Sequence, residues 1–540
     1  MGSLLTTKPQ VVGLPEVWTR AAEEASDLSE WSSLVGDLAV RADAEPEWNV
    51  HDRTHLEFAV DYHVDSSDRR SEHRWDAYFF IPESLNLNNR TYREDEIYKD
   101  LRSYVRFAAP QSTLDELHAT ALPILERALR SPDRDEAVHE MRFFACQFRA
   151  SGLAARRSLS TRIRASANRD RVAASAMDLV RRLHRLAESL RQVLQHARET
   201  GGDLRTAAEW VDEDISRLVE TILASVSNDL RAHGYDEELC GAVAYGAVAE
   251  ARYRDQRGCI RLVHDEATKR NVELVESRRH MLKRFTSSVL WLEHEVKDAR
   301  RLLANLLYAL AASVAMSFAL VAALYHGPQW SDSRLQDAWA WAILVVLAYA
   351  AKDRIKAGLQ RVAAGWLARH FPNRRWVLRG REQRSRVGTV VERSGFVHRG
   401  ALPRDVAELR ADGLSAPLEA LARPEQVFWH QKVVQLRSAA VRSVDERLDS
   451  VTEIFRLDLR RWLAHTDDPK RRILFADPND ECVYSANAPR VYEIDIIYRL
   501  QSGTRPEPWQ RIRVFVSRKG IVRIERVSAD QACAQSSTML

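Results

Sequence analysis

Three clusters in the sequence contain side chains that could bind a metal ion or transfer a proton. Imidazole and carboxylate groups, which are ligands for zinc, occur together at His51, Asp52, His55 and His63. Carboxylates that could hold a divalent cation or face a phosphoryl group occur at Glu94, Asp95, Glu96 and Asp100, and again at Asp477, Asn479, Asp480 and Glu481. Acidic residues are also favoured at helix starts and in turns, so we interpret these clusters as surface, capping and turn residues.

The common catalytic and nucleotide-binding motifs do not occur in the sequence. It contains no phosphate-binding loop ending in Lys-Ser or Lys-Thr, no Gly-x-Gly-x-x-Gly fingerprint and no Gly-x-Ser-x-Gly nucleophile turn. His139-Glu140 has no second histidine that would complete a zinc-protease motif. We therefore predict no catalytic residue, no cofactor and no metal site, and an enzyme without a recognisable motif remains an alternative.

The composition is that of a folded protein from a reducing compartment. Of 540 residues, 45% are hydrophobic and 29% are charged, which excludes disordered and collagen-like chains. The five cysteines have no Cys-x-x-Cys spacing, which favours free thiols over a zinc site or a disulfide framework. Because 80 Lys and Arg residues nearly balance 76 Asp and Glu residues, no nucleic-acid partner is predicted.

Two apolar segments predict a pair of membrane spans. Residues 302–325 contain no charged side chain and are long enough to cross about 30 Å of hydrocarbon as a helix. Residues 338–351 form a shorter apolar segment with Trp339 and Tyr349 near its ends, where interfacial aromatic residues belong. The pair has basic flanks at Lys297, Arg300 and Arg301 and at Lys352, Arg354 and Lys356. The positive-inside rule then predicts a bacterial inner-membrane protein with both termini cytoplasmic; a buried hairpin in a soluble protein is the alternative.

Small side chains in the first apolar segment predict close helix packing. The residues expected to contribute are Asn305, Ala311, Ala315, Ala319 and Ala323. The alanines recur every four residues and so form one stripe, and small residues permit the close backbone approach that drives helix association in lipid. The stripe could be used between the two spans or between protomers of a homo-oligomer.

The segment after the second span is strongly basic. Residues 352–399 carry 13 Lys and Arg side chains against 3 Asp and Glu. An amphipathic helix with this charge is expected to lie on the anionic inner leaflet. The residues predicted to contact the membrane surface are Lys352, Arg354, Lys356, Arg361, Trp366 and Arg369. Packing on the soluble part of the chain is the main alternative.

The remaining elements are predicted from hydrophobic periodicity. Alternation over 56–64 and 75–81 predicts an N-terminal β-hairpin, and a helix is expected over 91–108. Residues 113–300 read as helix almost throughout, with a break at Gly201-Gly202, and another helix is expected over 431–465. Strands return over 492–498, 512–516 and 521–527, and they could share one sheet with the N-terminal strands or form a separate module.

A few short stretches resemble a known group of proteins. They are Phe80-Ile81-Pro82-Glu83-Ser84-Leu85, Tyr98-Lys99-Asp100-Leu101, Tyr104-Val105-Arg106 and Lys352-Asp353-Arg354-Ile355-Lys356. Together they resemble a family of uncharacterised bacterial proteins with two membrane spans. The resemblance covers about 30 residues, implies no activity and assigns no functional residue.

The sequence as a whole predicts a mainly α protein: a two-helix transmembrane hairpin, a large cytoplasmic helical body and small α+β elements with β-hairpins at both ends. The predicted regions are 1–110 (acidic, α+β), 111–300 (helical), 301–351 (transmembrane hairpin), 352–400 (basic) and 401–540 (one helix and strands). The favoured function is a non-catalytic, membrane-anchored scaffold or sensor that self-associates and binds a cytoplasmic protein partner. The alternatives are an effector whose oligomer perturbs the bilayer when triggered, and an enzyme.

Overall fold

The computed structural model describes residues 47–527 apart from 65–68, 166–167, 261, 263–268, 297–298, 326–334, 381–384, 412–423, 469, 480–481 and 504. The chain divides into two compact units, and each is described by itself. The first contains Met1–Asp61, Arg106–Trp291 and Thr452–Phe455. The second contains Tyr62–Val105, Leu292–Val451 and Arg456–Leu540.

The helices have the following bounds: α1 (Glu94–Asp100), α2 (Leu122–Arg130), α3 (Arg134–Arg164), α4 (Arg169–Thr200), α5 (Gly202–Ala232), α6 (Glu237–Gln256), α7 (Lys269–Ser287), α8 (Ala299–Tyr325), α9 (Leu335–His370), α10 (Arg404–Ala411), α11 (Ser438–Val444) and α12 (Arg460–Leu463). The strands are β1 (Glu47–Asp52), β2 (His55–His63), β3 (Arg70–Pro82), β4 (Leu101–Phe107), β5 (Leu292–Val296), β6 (Arg374–Gly380), β7 (Arg386–Val397), β8 (Glu425–Arg437), β9 (Ser450–Asp458), β10 (Lys470–Asp477), β11 (Cys482–Pro489), β12 (Tyr492–Ser502), β13 (Arg505–Pro506), β14 (Gln510–Ser517) and β15 (Gly520–Arg526).

The first unit is a bundle of the helices α2 to α7, as the leucine periodicity predicts. The apolar stripe of α4, which runs from Leu179 to Leu194, is buried and belongs to one continuous hydrophobic core with α3, α5 and α6. The predicted break is confirmed: α4 ends at Thr200, and Gly201 and Gly202 have φ values of +78° and +62°, which favour glycine. Local periodicity therefore accounts for most of this unit.

The second unit is built on a large antiparallel sheet with the strand order β15-β14-β12-β3-β8-β7-β6-β5, in which β13 also pairs with β12. β3 lies between β12 and β8, so that Tyr78 pairs with Ile497 on one side and with Trp429 on the other. Strands from both ends of the chain therefore share one sheet, which settles the alternative that the sequence left open. Two smaller sheets have the orders β1-β2-β9-β4 and β10-β11.

Several local predictions are wrong because long-range strand pairing overrides local periodicity. Residues 431–465, expected to form a helix, belong to β8, the short α11, β9 and α12. The helix expected over 91–108 stops at Asp100, where β4 begins. The strands expected over 56–64 and 75–81 exist, but β3 pairs with β8 and β12 instead of forming a hairpin with β2.

The polar residues of β8 explain why its strand character is hidden in the sequence. His430, Gln431 and Lys432 are consecutive and all buried, so the strand lacks a simple polar and apolar alternation. The polar groups of Gln431 and Lys432 are paired with residues far away in the chain. The Gln431 amide donates to Asp76 (2.8 Å), and the Lys432 ammonium lies 3.0 Å from the Glu392 carboxylate. A buried charge is tolerated only when it is paired in this way.

The apolar helices are inserted between two neighbouring strands. α8 follows β5, α9 precedes β6, and the two helices pack on each other. β5 and β6 pair antiparallel, with Leu292 opposite Gly380 and Val296 opposite Trp376. The chain therefore leaves the sheet along α8 and returns to the adjacent position along α9.

The prediction of a mainly α protein with two membrane spans is wrong. About 29% of the structure is β-strand, and the second unit is a large sheet rather than part of a helical body. Within the described residues one helix, α8, is long and apolar enough to cross a membrane. α9 is a continuous helix of 36 residues that includes Lys352, Asp353, Arg354 and Lys356, so its apolar part does not form a separate span.

The geometry of the hairpin gives the physical reason for this correction. α8 begins after β5 and α9 ends before β6. At 1.5 Å per residue α8 is about 39 Å long, and the same length counted back from the end of α9 reaches about residue 344. By the same arithmetic, Lys352 and Arg354 lie level with about residues 315–317 of α8. The two apolar segments are thus offset along the hairpin, whereas two neighbouring spans would be level with each other.

Candidate membrane-binding hairpin

α8 exposes a large group of apolar side chains. Residues Leu303–Val321 have the length and composition of a membrane span, and only 11% of this window is buried. Its exposed side chains are Leu306, Leu310, Val314, Met316, Phe318, Leu320, Val321 and Leu324. A core helix of a soluble protein would be mostly buried, so this exposure argues against the soluble buried hairpin that the sequence left as an alternative.

The predicted packing residues of α8 have different environments. Ala311 and Ala315 are buried where α8 packs on α9, and Ala319 is half-buried. Asn305 is exposed, and the side chain of Ala323 lies outside the described residues. The small residues thus line a close helix contact within the chain, which leaves the larger side chains of α8 outside it.

α9 adds a second apolar surface at the end of the hairpin that is farther from the sheet. Its exposed large side chains there are Trp339, Ile343, Val346, Leu347 and Tyr349. Together with Leu320 and Leu324 of α8, they leave this far end apolar on both helices. A contiguous apolar surface of this kind marks a site of contact with a membrane or a protein.

The predicted membrane-surface residues follow directly on α9. Arg354 and Arg361 are exposed and Lys356 is half-buried. The ammonium group of Lys352 lies 3.4 Å from the centroid of the Tyr349 ring, a cation–π contact. Trp366 is half exposed and its ring lies 5.7 Å from that of Phe371; the side chain of Arg369 lies outside the described residues. The order along α9 is therefore apolar, then basic, then amphipathic.

Aromatic and basic side chains hold the base of the hairpin. The Arg374 guanidinium lies 4.9 Å from the Trp376 ring centroid and 5.5 Å from that of Tyr98. The His294 ring of β5 lies 5.2 Å from the Trp376 ring of β6. Burial, and next the charge of Arg374, lower the pKa of His294, so the imidazole is neutral where it packs on Trp376. These contacts fix the strand pair next to which α8 begins and α9 ends.

The first of the three clusters that we interpret as surface, capping and turn residues contributes to a turn. The Asp52 carboxylate accepts hydrogen bonds from the Thr54 and His55 amides in the turn between β1 and β2. Burial acts to raise the pKa of Asp52, but its hydrogen bonds with Thr54 and His55 lower it to about 2. The side chain of His51 lies outside the described residues.

The two acidic clusters also contribute capping and turn residues, except for Asp100, which is buried and accepts hydrogen bonds from Tyr92 (2.8 Å) and Arg461 (3.1 Å). Glu96, in the first turn of α1, accepts a hydrogen bond from the backbone N–H of Arg93 (2.9 Å), so the helix is capped as predicted. Asp477 accepts from the backbone N–H of Asn479 (2.9 Å) in the turn after β10, and Asp480 and Glu481 lie outside the described residues.

Sequence reasoning missed a buried ionic network in the first unit. Three consecutive acids of α5, Asp212, Glu213 and Asp214, are all buried. Each carboxylate binds its own arginines at distances of 2.6–3.2 Å. Asp212 binds Arg191 and Arg198, Glu213 binds Arg217 and Arg278, and Asp214 binds Arg149. The signal in the sequence is the unbroken helical pattern around three acids, which puts at least one of them on the core side of the helix.

Glu250 of α6 extends this network. It binds Arg191 and accepts a hydrogen bond from Ser216 (2.6 Å), and His184 lies 3.3 Å from its other oxygen. Burial acts to raise the pKa of Glu250, but His184, Arg191 and Ser216 together hold it at about 2. The carboxylate is therefore ionised at neutral pH and ties α4, α5 and α6 together.

A cavity of about 510 Å³ lies beside the network but has no obvious chemistry. Its lining includes Trp210, Tyr253, Arg254, Cys259 and Arg278. Four arginines line it. Three of them already bind carboxylates, Arg205 that of Glu209, Arg254 that of Glu220 and Arg278 that of Glu213, and the guanidinium of Arg257 lies 5.0 Å from the Tyr253 ring centroid. Burial raises the pKa of Cys259, so its thiol is not activated as a nucleophile.

Lowering the pH should weaken the first unit through Glu250. A group whose folded pKa of about 2 lies below its usual 4.5 stabilises the fold above pH 4.5 and loses that contribution as the pH falls toward 2. We expect Glu250→Gln to remove about 3 kcal/mol of pH-dependent stability, so that the difference in unfolding free energy from the parent protein shrinks by about 1.4 kcal/mol per pH unit below 4.5.

Urea unfolding of the full chain between pH 6 and pH 3 measures this difference. Glu209→Gln is the matched control, because its partner Arg205 and the pair itself are exposed and its loss should cost under about 1 kcal/mol at every pH. A difference between Glu250→Gln and the parent that does not change with pH would contradict the assignment.

Comparison with known proteins adds no assignment to this geometry. No protein-family model, no curated protein and no solved structure matches the chain.

Proposed function

We propose that the protein is a non-catalytic scaffold or sensor held on the cytoplasmic face of a bacterial inner membrane by the α8–α9 hairpin. In this proposal the far end of the hairpin enters the bilayer, and the two units remain in the cytoplasm. The protein self-associates and binds a cytoplasmic protein partner. The observation that carries the proposal is the group of exposed apolar side chains at the far end of the hairpin, which includes Leu320 and Leu324 of α8 and Ile343 and Val346 of α9.

The connectivity supports attachment from one side. β5 and β6 are paired neighbours, so the chain enters and leaves the hairpin at one place on the sheet. A hairpin that starts and ends there returns to the side from which it came. The basic residues on its flanks favour the cytoplasmic side, according to the positive-inside rule.

The order of side chains along α9 fits insertion to a limited depth. Apolar residues from Trp339 to Tyr349 would lie in the acyl chains, and Lys352, Arg354 and Lys356 would then lie at the head groups. Anionic head groups attract each such charge by about 1 kcal/mol. The amphipathic remainder, with Val362 and Trp366 exposed, is suited to the surface of the inner leaflet.

A scaffold or sensor fits the chemistry of the described residues better than an enzyme does. Burial raises the pKa of the Cys146 thiol to about 12 and also raises that of Cys240, so neither is an activated nucleophile. The buried acids of α5 bind arginines rather than facing open space. The described cavities thus offer structure and surface rather than a poised catalytic group.

Charged substitutions at exposed apolar positions of the hairpin test the proposal. Leu320→Glu combined with Val346→Glu should abolish binding of the purified full chain to vesicles that contain anionic lipid, because a charge in the acyl region is costly. Both side chains are exposed, so the variant should fold like the parent protein. Val248→Glu on α6 is the matched control, because it charges an exposed apolar position outside the hairpin. Vesicle flotation that is unchanged in the double variant would refute the proposed anchor.

The basic residues of α9 should make this binding depend on lipid charge. Arg354→Gln with Arg361→Gln removes two exposed charges, worth about 1 kcal/mol each, and should weaken binding to anionic vesicles about 30-fold. Arg171→Gln with Arg252→Gln in the helical bundle removes two exposed arginines elsewhere and should change little. Equal losses of affinity in the two variants, measured by vesicle co-sedimentation, would contradict a specific contact of α9 with the membrane surface.

A further inference from the structure

The β10–β11 hairpin of the second unit is exposed along its whole length. The eight residues of β10 pair in register with the eight residues of β11, from Lys470 opposite Pro489 to Asp477 opposite Cys482. All the residues of β10 are exposed except Asp477, which is half-buried. In the described part of the chain these two strands form a sheet of their own, without a third strand.

Both faces of this hairpin carry apolar side chains in its middle. Ile473 and Phe475 lie on one face and Leu474 on the other, because side chains alternate along a strand. All three are well exposed, as are Val483 and Tyr484 of β11. A two-stranded hairpin is marginally stable alone in water, and an exposed apolar edge strand is a template for another strand.

Charge along β10 is arranged in a self-complementary way. Lys470, Arg471 and Arg472 form its basic start, and Asp477 lies at its acidic end. The apolar residues 473–476 lie between the two. An identical strand running in the opposite direction therefore places acidic ends against basic starts and apolar centres against each other.

We propose that β10 pairs edge to edge with β10 of a second copy of this chain, antiparallel and with the twofold axis at Leu474. This inference names the surface for the self-association in the proposed function and rests on it to that extent. The two hairpins join into one four-stranded sheet with the order β11-β10-β10-β11. The added strand satisfies the outward backbone groups of each β10 edge, which is the usual basis of strand addition.

The register follows from the charges and the apolar residues together. With Leu474 opposite Leu474, Arg471 lies opposite Asp477, and Ile473 lies opposite Phe475. The twofold axis produces the Arg471–Asp477 pair and the Ile473–Phe475 pair twice each. The contact therefore contains two ion pairs and two aliphatic–aromatic pairs. The Cβ atoms of directly opposite residues in an antiparallel pair lie about 4.5–5.5 Å apart, which is close enough for all of these contacts.

The same residues argue against a lipid surface as the occupant of this hairpin. Asp477 puts negative charge at the tip of the hairpin, where β10 ends, and this tip would enter a membrane first. An anionic membrane repels that tip, and a carboxylate in the acyl region is costly. The basic start of a second β10, in contrast, meets the acidic end directly.

Cysteine cross-linking tests the twofold axis. Leu474→Cys in the full chain, with the exposed Cys482 replaced by serine, should give a disulfide-linked dimer on mild oxidation, because residue 474 faces itself. Ser485→Cys is the matched control: it lies opposite Leu474 on β11, one strand farther from the axis on each side, and should not cross-link. Efficient cross-linking at 485 and none at 474 would overturn edge pairing through β10.

Charge exchange tests the register. Arg471→Glu and Asp477→Lys should each raise the dimer dissociation constant about tenfold or more, because each creates two like-charge pairs. An equimolar mixture of the two single variants should form heterodimers with the parent affinity, since every pair is again of opposite sign. Sedimentation that shows no recovery in the mixture would overturn this register.

The two proposals fail in different ways. If the hairpin α8–α9 does not bind membranes but β10 pairs as described, vesicle flotation is lost while the 474 cross-link forms in solution. If β10 is not the dimer contact, flotation of the parent protein is retained and neither the cross-link nor the recovery in the mixture is seen.

Discussion

The pairing of β5 with β6 is the constraint on which the account of this protein depends. Val296 of β5 and Trp376 of β6 lie opposite each other. In the sequence, the 27 residues of α8 and the 36 of α9 come between these two strands. The chain therefore leaves the sheet and returns to it at one place, so the helical hairpin must insert into any surface from one side. Because β6 continues through β7 and β8 to β3 and β12, this anchoring point is built into a sheet that uses both ends of the chain. The exposed apolar residues of α8 thus extend from a rigid base.

Buried charges hold the packing within each of the two units without suggesting catalysis. In the sheet, Lys432 and Glu392 are both nearly inaccessible and lie 3.0 Å apart. In the helical bundle, the three acids of α5 bind arginines from α3, α4, α5 and α7. Breaking one partner of such a pair costs far more than the pair contributes, so these networks favour one packing arrangement over others. We infer that they serve a framework that presents surfaces.

The parts of the fold that could be predicted are those in which neighbouring residues decide the structure. The leucines of α4, the break at Gly201 and the exposed apolar character of α8 follow from local pattern. β8 could not be predicted, because the partners that allow Gln431 and Lys432 to be buried are 355 and 40 residues away in sequence. The offset between the apolar parts of α8 and α9 could not be predicted either, because it depends on the pairing of β5 with β6, which are far apart in the sequence. The prediction of a two-span transmembrane hairpin was therefore wrong, although the apolar character of α8 itself is local.

Alkaline carbonate extraction of membranes from cells that make the full-length protein tests the central claim most directly. The account predicts that the protein remains with the membrane pellet and that protease added to the outside of spheroplasts does not cut it, because the proposed function places both units in the cytoplasm. Both outcomes follow from a hairpin that inserts from one side and returns to the sheet. Release of the protein into the carbonate supernatant would contradict the claim that the far end of the α8–α9 hairpin lies in lipid.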